Sequence, residues 1–177
     1  MTEREYGKIV KGLGGLYETR VCGEDGSVER LISRAKGILR RDEEKRLVGD
    51  NVTVSIDESI EGGIVISQVA ERKNSLIRPP LANLDYIFIV FAAKKPSPFI
   101  ETVDKLISIA EHNSITPVVV ITKSDISGAD AEEYAEIYRS VGIPTFITSS
   151  NSGEGLAPLA EYIKENVRNG KTSAFAG

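Results

Sequence analysis

Four consecutive residues, Thr122, Lys123, Ser124 and Asp125, carry side chains that could recognise a ligand, and they directly follow the apolar run 118–121. The Asp125 carboxylate could accept two hydrogen bonds, from N1–H and from the 2-amino group of guanine, a pair of donors that adenine does not offer. The aliphatic stem of Lys123 could lie along the base plane while its ammonium group ties neighbouring loops together. Thr122 could add a hydroxyl hydrogen bond between those loops. The tetrapeptide therefore predicts a guanine-binding site, although a plain surface turn after a strand has the same composition.

A second polar segment follows the next apolar run. Residues 148–156 read Thr-Ser-Ser-Asn-Ser-Gly-Glu-Gly-Leu and resemble the Ser-Ala-x-x-Gly-x-Gly-Leu segment of many GTPases. In those proteins a backbone N–H just after the serine contacts the guanine O6 atom, so Ser149, Ser150 and Asn151 become candidate guanine-binding residues. Ser150 stands where alanine is usual. A Ser/Gly-rich loop that caps the following helix explains the same letters, and both interpretations can hold together.

The guanine motif leads us to expect a phosphate loop of the form G-x-x-x-x-G-K-[ST], which normally lies upstream of it. Nothing upstream of residue 122 fits that form. Residues 174–177 read Ala-Phe-Ala-Gly, the pattern of a strand that runs into the first glycine of such a loop. We therefore expect Gly177 to be the start of a phosphate loop, with the motifs in a circularly permuted order.

The first part of the chain predicts short strands separated by glycine-containing turns. Five β-rich runs at regular spacing indicate a small barrel or sandwich, and five strands in about 70 residues suit an OB-fold, whose face and loops commonly bind oligonucleotides. Pattern alone does not separate this fold from an SH3-like barrel. The predicted strands are 7–12, 16–22, 27–35, 51–56 and 63–69.

Near residue 78 the sequence pattern changes to strands that alternate with helices, which predicts a domain boundary there. Strands separated by helices predict right-handed crossovers and a parallel sheet, and ligands bind such sheets beyond the carboxyl ends of the strands. The helix predicted at 98–112 places Phe99, Val103, Leu106, Ile107 and Ala110 on one face. The remaining predictions are helices at 129–141 and 156–167, and strands at 84–91, 117–121, 145–148 and 172–176.

Composition describes an ordinary globular chain of 177 residues, with 41% hydrophobic and 27% charged residues. No apolar run is long enough to span a bilayer, and the charged N-terminus does not resemble a signal peptide. The single cysteine, Cys22, fits a reducing compartment. These features predict a cytoplasmic location and no membrane partner. The lone histidine, His112, is expected to be solvated at a helix end.

Charge is distributed unevenly along the chain. Residues 1–78 balance, so the net charge of −4 belongs to residues 79–177. Within the balanced half, one short basic cluster could contact phosphates, although interruption by 42–44 (Asp-Glu-Glu) makes a solvated loop an equal alternative. The candidate RNA-binding residues are Arg34, Lys36, Arg40, Arg41, Lys45 and Arg46.

Several segments in register resemble the RsgA family of circularly permuted GTPases. Residues 48–52 read Val-Gly-Asp-Asn-Val, like the family's barrel signature, and 72–79 read Arg-Lys-Asn-Ser-Leu-Ile-Arg-Pro, like its domain junction. Residues 82–85, Ala-Asn-Leu-Asp, resemble the start of its first GTPase strand. With the two guanine motifs, the resemblance covers essentially the whole chain.

The resemblance implies an OB-fold at residues 1–72 that contacts 16S rRNA, followed at 73–177 by the N-terminal part of a permuted GTPase domain. The family hydrolyses GTP and acts in late maturation of the small (30S) ribosomal subunit, so GTP or GDP is the expected ligand. Its Mg²⁺-binding residues and its zinc-binding domain normally follow residue 177, and no catalytic or metal-binding residue is assigned to this chain.

Because the resemblance provides only the guanine-reading half of the site, we expect the 177 residues alone to bind nucleotide weakly or not at all, and not to hydrolyse GTP. An incomplete sheet would leave an open edge and favour self-association. The alternative is a non-catalytic RNA- or ribosome-binding protein derived from such a GTPase.

Overall fold

A computed structural model describes residues 5–22, 27–35, 46–57, 63–168 and 170–177. These residues form two compact units, 1–83 and 84–177. None of the three helices in the described ranges combines the length and apolar character that crossing a membrane requires.

The first unit is a closed five-stranded barrel in the order β1-β2-β3-β5-β4. Neighbouring strands are antiparallel except for β3 and β5, which pair in parallel through Arg34↔Val65 and Ala35↔Ile66. This Greek-key arrangement is of the OB-fold type that the strand count suggested. The strands are β1 (Glu5–Leu13), β2 (Leu16–Cys22), β3 (Val28–Ala35), β4 (Asn51–Ile56) and β5 (Ile64–Val69).

Alternation of side chains explains how this barrel folds. Successive residues of a strand point to opposite faces, and most of the buried positions are apolar. One buried cluster results, and it consists of Ile9, Val21, Val52, Val54 and Ile66. Two polar residues, Thr19 and Ser33, are buried as well, and their hydroxyl groups share a hydrogen bond of 3.0 Å.

A two-stranded hairpin, β6 (Ser75–Leu76) with β7 (Leu81–Ala82), follows the barrel and belongs to the same unit. The sequence analysis missed it, because strands of two residues are too short to show a period. Asn83 ties it to the barrel: its Nδ2 donates to the Gly49 carbonyl at 3.0 Å, and its Oδ1 accepts from the Lys73 N–H at 2.9 Å.

A buried ion pair strengthens the same junction. The side chain of Asp50 is fully buried and accepts from Arg72 Nε at 2.7 Å and from Arg72 Nη2 at 3.0 Å. Asp50 Oδ2 also accepts from the Leu47 N–H at 2.7 Å. The segments 48–52 and 72–79 are therefore joined to each other, and to Ala82 and Asn83, by hydrogen bonds within the first unit.

The second unit is built on a four-stranded parallel sheet in the order β10-β9-β8-β11. β9 pairs with β8 along its whole length, β10 adds to the other edge of β9, and β11 adds to the free edge of β8. The strands are β8 (Tyr86–Ala92), β9 (Thr116–Thr122), β10 (Thr145–Ile147) and β11 (Ser173–Ala176).

Three helices cover this sheet: α1 (Ile100–His112), α2 (Gly128–Ser140) and α3 (Leu156–Asn166). One face of the sheet packs Phe88, Val118 and Val120 against α3, whose contributing residues are Leu159, Tyr162 and Ile163. Burial of each large side chain such as Phe88 stabilises the fold by roughly 1.5–3 kcal/mol. The sheet therefore holds the ends of β9 and β10 in fixed positions.

The expected apolar face of α1 is wrong at one residue. Phe99 lies before the helix, at its N-cap, and its side chain is 83% exposed. Val103, Ile107 and Ala110 are buried as predicted. The predicted helix began two residues too early, at 98, because the periodicity of apolar residues does not show where the backbone leaves helical geometry, here at Phe99 with φ −89° and ψ 87°.

Candidate guanine-binding site

The Asp125 carboxylate lies just beyond the carboxyl end of β9 and is held by donors from the loop after β10. Ser149 Oγ donates to Asp125 Oδ1 at 2.6 Å, and Asn151 Nδ2 makes a longer contact with Oδ2 at 3.4 Å. The Ser149 hydrogen bond is the main cause that lowers the pKa of Asp125 below its ordinary value, and it outweighs desolvation, which acts in the opposite direction. Asp125 is therefore an exposed, ionised acceptor at neutral pH.

Ser149 organises the second loop around this carboxylate. Its side chain is fully buried, and its Oγ also accepts from the N–H groups of Asn151 and Ser152, each at 3.2 Å. Its own N–H donates to the Glu154 carbonyl at 3.0 Å. Among the hydrogen bonds of the described residues, none involves the Ser150 N–H. That group remains available to a carbonyl acceptor such as guanine O6.

Gly155 fixes where α3 begins relative to β10. It is the N-cap residue of α3, with φ +69°, and a Cβ atom at this position would lie 1.8 Å from the Ile147 carbonyl oxygen. A side chain would both strain the left-handed backbone and collide with the strand. Glycine here lets the loop turn back tightly enough for Ser149 to reach Asp125.

Thr122 and Lys123 connect the site to the end of β8. Thr122 Oγ1 donates to the Phe91 carbonyl at 3.1 Å, and Lys123 Nζ donates to the Lys95 carbonyl at 2.6 Å. Lys123 has a positive φ of +62°, which turns the chain sharply after the strand. The lysine ammonium thus ties neighbouring loops, as the sequence indicated.

Ser124 connects the loop after β9 to the loop after β10 through Glu154, which was not among the predicted site residues. Its buried Oγ donates to Glu154 Oε2 at 3.0 Å, and its N–H donates to the Thr148 carbonyl at 3.2 Å. In the sequence, Glu154 is a single acidic residue between two glycines, a pattern that is typical of a solvated loop.

The other predicted site residues are distributed over both units. Gly177 follows β11, with its backbone against the Val90 carbonyl. Arg34 is exposed on β3, and Arg46 is half-buried just ahead of the turn at 47–50. The rest of the basic cluster, Lys36, Arg40, Arg41 and Lys45, lies outside the described residues.

A different basic row appears on the outer surface of the barrel. The strand register places Lys8 opposite Arg20 and Arg20 opposite Arg30, so three cationic residues cross β1, β2 and β3 side by side. Arg30 also pairs with Glu18 at 2.9 Å. We call Lys8, Arg20 and Arg30 the basic row. The sequence analysis missed it because its members are ten or more residues apart along the chain.

The sequence model of the RsgA GTPase family matches residues 69–177, and that of the RsgA N-terminal domain matches residues 6–64. The chain belongs to the RsgA GTPase family. Small ribosomal subunit biogenesis GTPase RsgA of Caldanaerobacter subterraneus subsp. tengcongensis is 40% identical, with 99% of this chain and 56% of the relative covered. The corresponding protein of Bacillus subtilis is 36% identical, with 97% and 56% covered. The chain thus spans a little over half the length of these curated relatives.

Solved structures related to the RsgA family have the same architecture. YloQ, described as a circularly permuted GTPase, superposes with a TM-score of 0.74 at 34% identity, covering 99% of this chain and 60% of YloQ. YjeQ from Thermotoga maritima gives a TM-score of 0.77 at 32% identity, with 99% and 60% covered. The predicted family and fold class, an OB-type barrel followed by a permuted parallel sheet with flanking helices, are confirmed.

Proposed function

We propose that this chain supplies guanine-nucleotide recognition and rRNA contacts to a GTPase that acts in late maturation of the small ribosomal subunit. The observation that carries the proposal is the Asp125 carboxylate, held by Ser149 at 2.6 Å beyond the end of β9. Membership of the RsgA GTPase family supports it, and so do the names of the curated relatives.

The proposed recognition follows from the hydrogen-bonding groups of the loops. Guanine donates N1–H and its 2-amino group to the two oxygens of Asp125, and its O6 atom accepts from the Ser150 N–H. The 3.4 Å contact from Asn151 is weak, so Oδ2 stays open to a stronger donor. The stem of Lys123 lies against the base plane, while its ammonium holds the Lys95 carbonyl. Adenine offers neither donor to the carboxylate and is rejected.

GTP hydrolysis and its coupling to the ribosomal subunit are proposed for the family member as a whole. The role of the residues described here is to bind and orient the base. Across the described ranges, no group of three His, Cys, Asp or Glu side chains is placed to hold a metal ion. Mg²⁺ would accompany the phosphates of the nucleotide.

The barrel is proposed to contact 16S rRNA, and the protein is proposed to act in the cytoplasm. The basic row and the basic cluster at residues 34–46 are its candidate phosphate contacts, because lysine and arginine neutralise phosphates and release the counterions that the phosphates had bound.

We also propose self-association through β11, a sheet-edge strand whose Phe175 is 62% exposed. Sedimentation velocity across a concentration series would show a single monomeric species if this last proposal is wrong.

Asp125→Asn tests the guanine proposal. An asparagine amide donates where the carboxylate accepted, so it matches the 2-carbonyl of xanthine instead of the 2-amino group of guanine. We expect GDP affinity to fall about ten-fold or more, and xanthosine diphosphate affinity to rise by a similar factor. NMR titration with nucleotide up to millimolar concentration measures both.

Asp130→Asn is the matched control, because it makes the same charge change on α2, where Asp130 pairs with Lys94. It should leave both affinities unchanged. The guanine proposal is wrong if Asp125→Asn binds GDP as tightly as the parent chain, or if the parent chain does not distinguish GDP from ADP.

A further inference from the structure

Glu154 is bonded at two points to the two loops that would read the base. Its carbonyl oxygen accepts from the Ser149 N–H at 3.0 Å, and its side-chain Oε2 accepts from Ser124 Oγ at 3.0 Å. Glu154 is therefore bonded to Ser149 through its main chain and to Ser124 through its side chain.

These contacts close a ring of hydrogen bonds. Ser149 Oγ donates to Asp125, which follows Ser124 in the chain. Ser124 Oγ donates to the Glu154 side chain, and the Glu154 carbonyl accepts from the Ser149 N–H, which closes the ring. A closed ring constrains its members more than the same bonds in a chain, because no member can move without breaking a bond elsewhere. The relative position of the two loops is thereby fixed without ligand.

Burial makes the side-chain link between the loops costly to lose. Ser124 is 8% exposed and Ser149 is fully buried, so water does not readily replace a missing partner at either hydroxyl. A hydrogen bond to an ionised carboxylate is also stronger than one between neutral groups. The Ser124–Glu154 contact is therefore a directed link between β9 and the loop after β10.

We propose that Glu154 is a positioning residue for guanine recognition, which holds the Asp125 carboxylate and the Ser150 N–H at the separation that the base edge requires. The inference rests on the proposed guanine-binding function and assigns a role within that site. A binding site held in its bound geometry before the ligand arrives does not have to order two loops on binding. Glu154 itself touches neither reacting atoms nor base.

Three single variants and one double variant separate this role from a general structural one. Glu154→Ala and Ser124→Ala each remove the side-chain link, while Glu154→Gln keeps an acceptor for Ser124. We expect the GDP affinity of the two alanine variants to fall about three- to ten-fold, with a smaller preference for GDP over inosine diphosphate, which lacks the 2-amino group. Glu154→Gln should stay close to the parent chain. The double alanine variant should be no worse than either single one, since both remove the same contact.

A second readout needs no nucleotide. Because the Ser124–Glu154 side-chain link fixes the loop that carries Ser149, its removal in the alanine variants should let the Asp125 pKa rise towards its ordinary value, as measured by ¹³C NMR of the carboxyl group. If the parent chain does not prefer GDP over ADP, the proposed function fails, and the carboxyl titration still decides whether Glu154 positions Asp125. An unchanged Asp125 pKa in Glu154→Ala, in a variant that melts at the parent temperature, would overturn the inference.

Discussion

Two aspartates in this chain show how the environment distinguishes a carboxylate paired inside the fold from one exposed to solvent. Asp50 is fully buried and neutralised by Arg72 at 2.7 Å, so its charge is used inside the protein. Asp125 is exposed and held by the neutral donors Ser149 and Asn151, so its negative charge stays available to an incoming donor. The sequence identified Asp125 through its motif, whereas the pairing of Asp50 with Arg72 joins residues 22 positions apart and has no local signature.

Ser149→Ala should raise the pKa of Asp125, because the Ser149 hydrogen bond is the main cause of its lowered value. A carboxyl group with a lowered pKa in the folded state stabilises the fold above its unfolded pKa, and this stabilisation is lost as pH falls through the folded-state value. If the ionised Asp125 carboxylate reads guanine as proposed, the variant should also lose GDP binding at a higher pH than the parent chain during acidification, because its carboxylate is protonated earlier. Carboxyl ¹³C titration measures the shift.

Ser150→Ala provides the matched control, since the Ser150 side chain is exposed and Asp125 receives its bond from Ser149. Its Asp125 titration should match that of the parent chain. Equal pKa values in all three proteins would show that the Ser149 contact does not hold the carboxylate in solution.

At the scale of elements, the strands and helices with strong periodicity were predicted within about two residues at each end. β2 and β4 coincide with the predicted runs 16–22 and 51–56. The pairing of those strands could not be predicted: parallel pairing of β3 with β5 and closure of β1 against β4 depend on contacts between distant segments. The same limit applies to the site, where the motifs were evident but the Ser124–Glu154 bond between them was not.

Gly155→Ala should displace the loop between β10 and α3, because its Cβ would meet the Ile147 carbonyl at 1.8 Å and its backbone has φ +69°. Gly153→Ala is the control, with φ +79° but no neighbouring atom within 4 Å of its Cβ. We expect about 1 kcal/mol of destabilisation at Gly153 from backbone strain, and about 3 kcal/mol or more at Gly155.

Denaturant unfolding measures both free energies. NMR shifts of Ser149 and Asp125 should move far more in Gly155→Ala than in Gly153→Ala. Similar losses of stability in the two variants would mean that the strand collision is relieved by a small backbone adjustment.

At the scale of the whole molecule, net charge conceals a local pattern. The full chain carries −4 at neutral pH, which does not suggest a nucleic-acid ligand, yet β1, β2 and β3 align the basic row across the outside of the barrel. Strand register, rather than sequence proximity, brings these cations together. Only the basic cluster at residues 34–46 is contiguous in the sequence, and so only that cluster could be predicted from it.

Arg20→Glu tests the basic row, with Lys105→Glu on α1 as a control that makes the same change in net charge. If the row contacts RNA phosphates, Arg20→Glu should weaken binding of small-subunit rRNA about equally for different fragments, and should make the salt dependence shallower by about one unit of log–log slope per lost contact. Lys105→Glu should leave that slope unchanged.

Combined reversal of Arg40 and Arg41 in a third variant distinguishes the basic cluster from the row. Fluorescence anisotropy with a labelled rRNA fragment at several salt concentrations provides all the slopes. An Arg20→Glu slope equal to that of the parent chain would remove the row as an RNA contact.

The pairing of β11 with β8 has a consequence for the order of folding. Their register joins Ser173 to Tyr86 and Ala176 to Ile89, so a long stretch of chain must be closed before these strands meet, and such distant contacts form late. The two loops proposed to read guanine lie between them in sequence, at 122–125 and 148–156. During synthesis, which proceeds from the N-terminus, both of these loops emerge before β11 does, and until it docks the β8 edge is open to capture by other polypeptides.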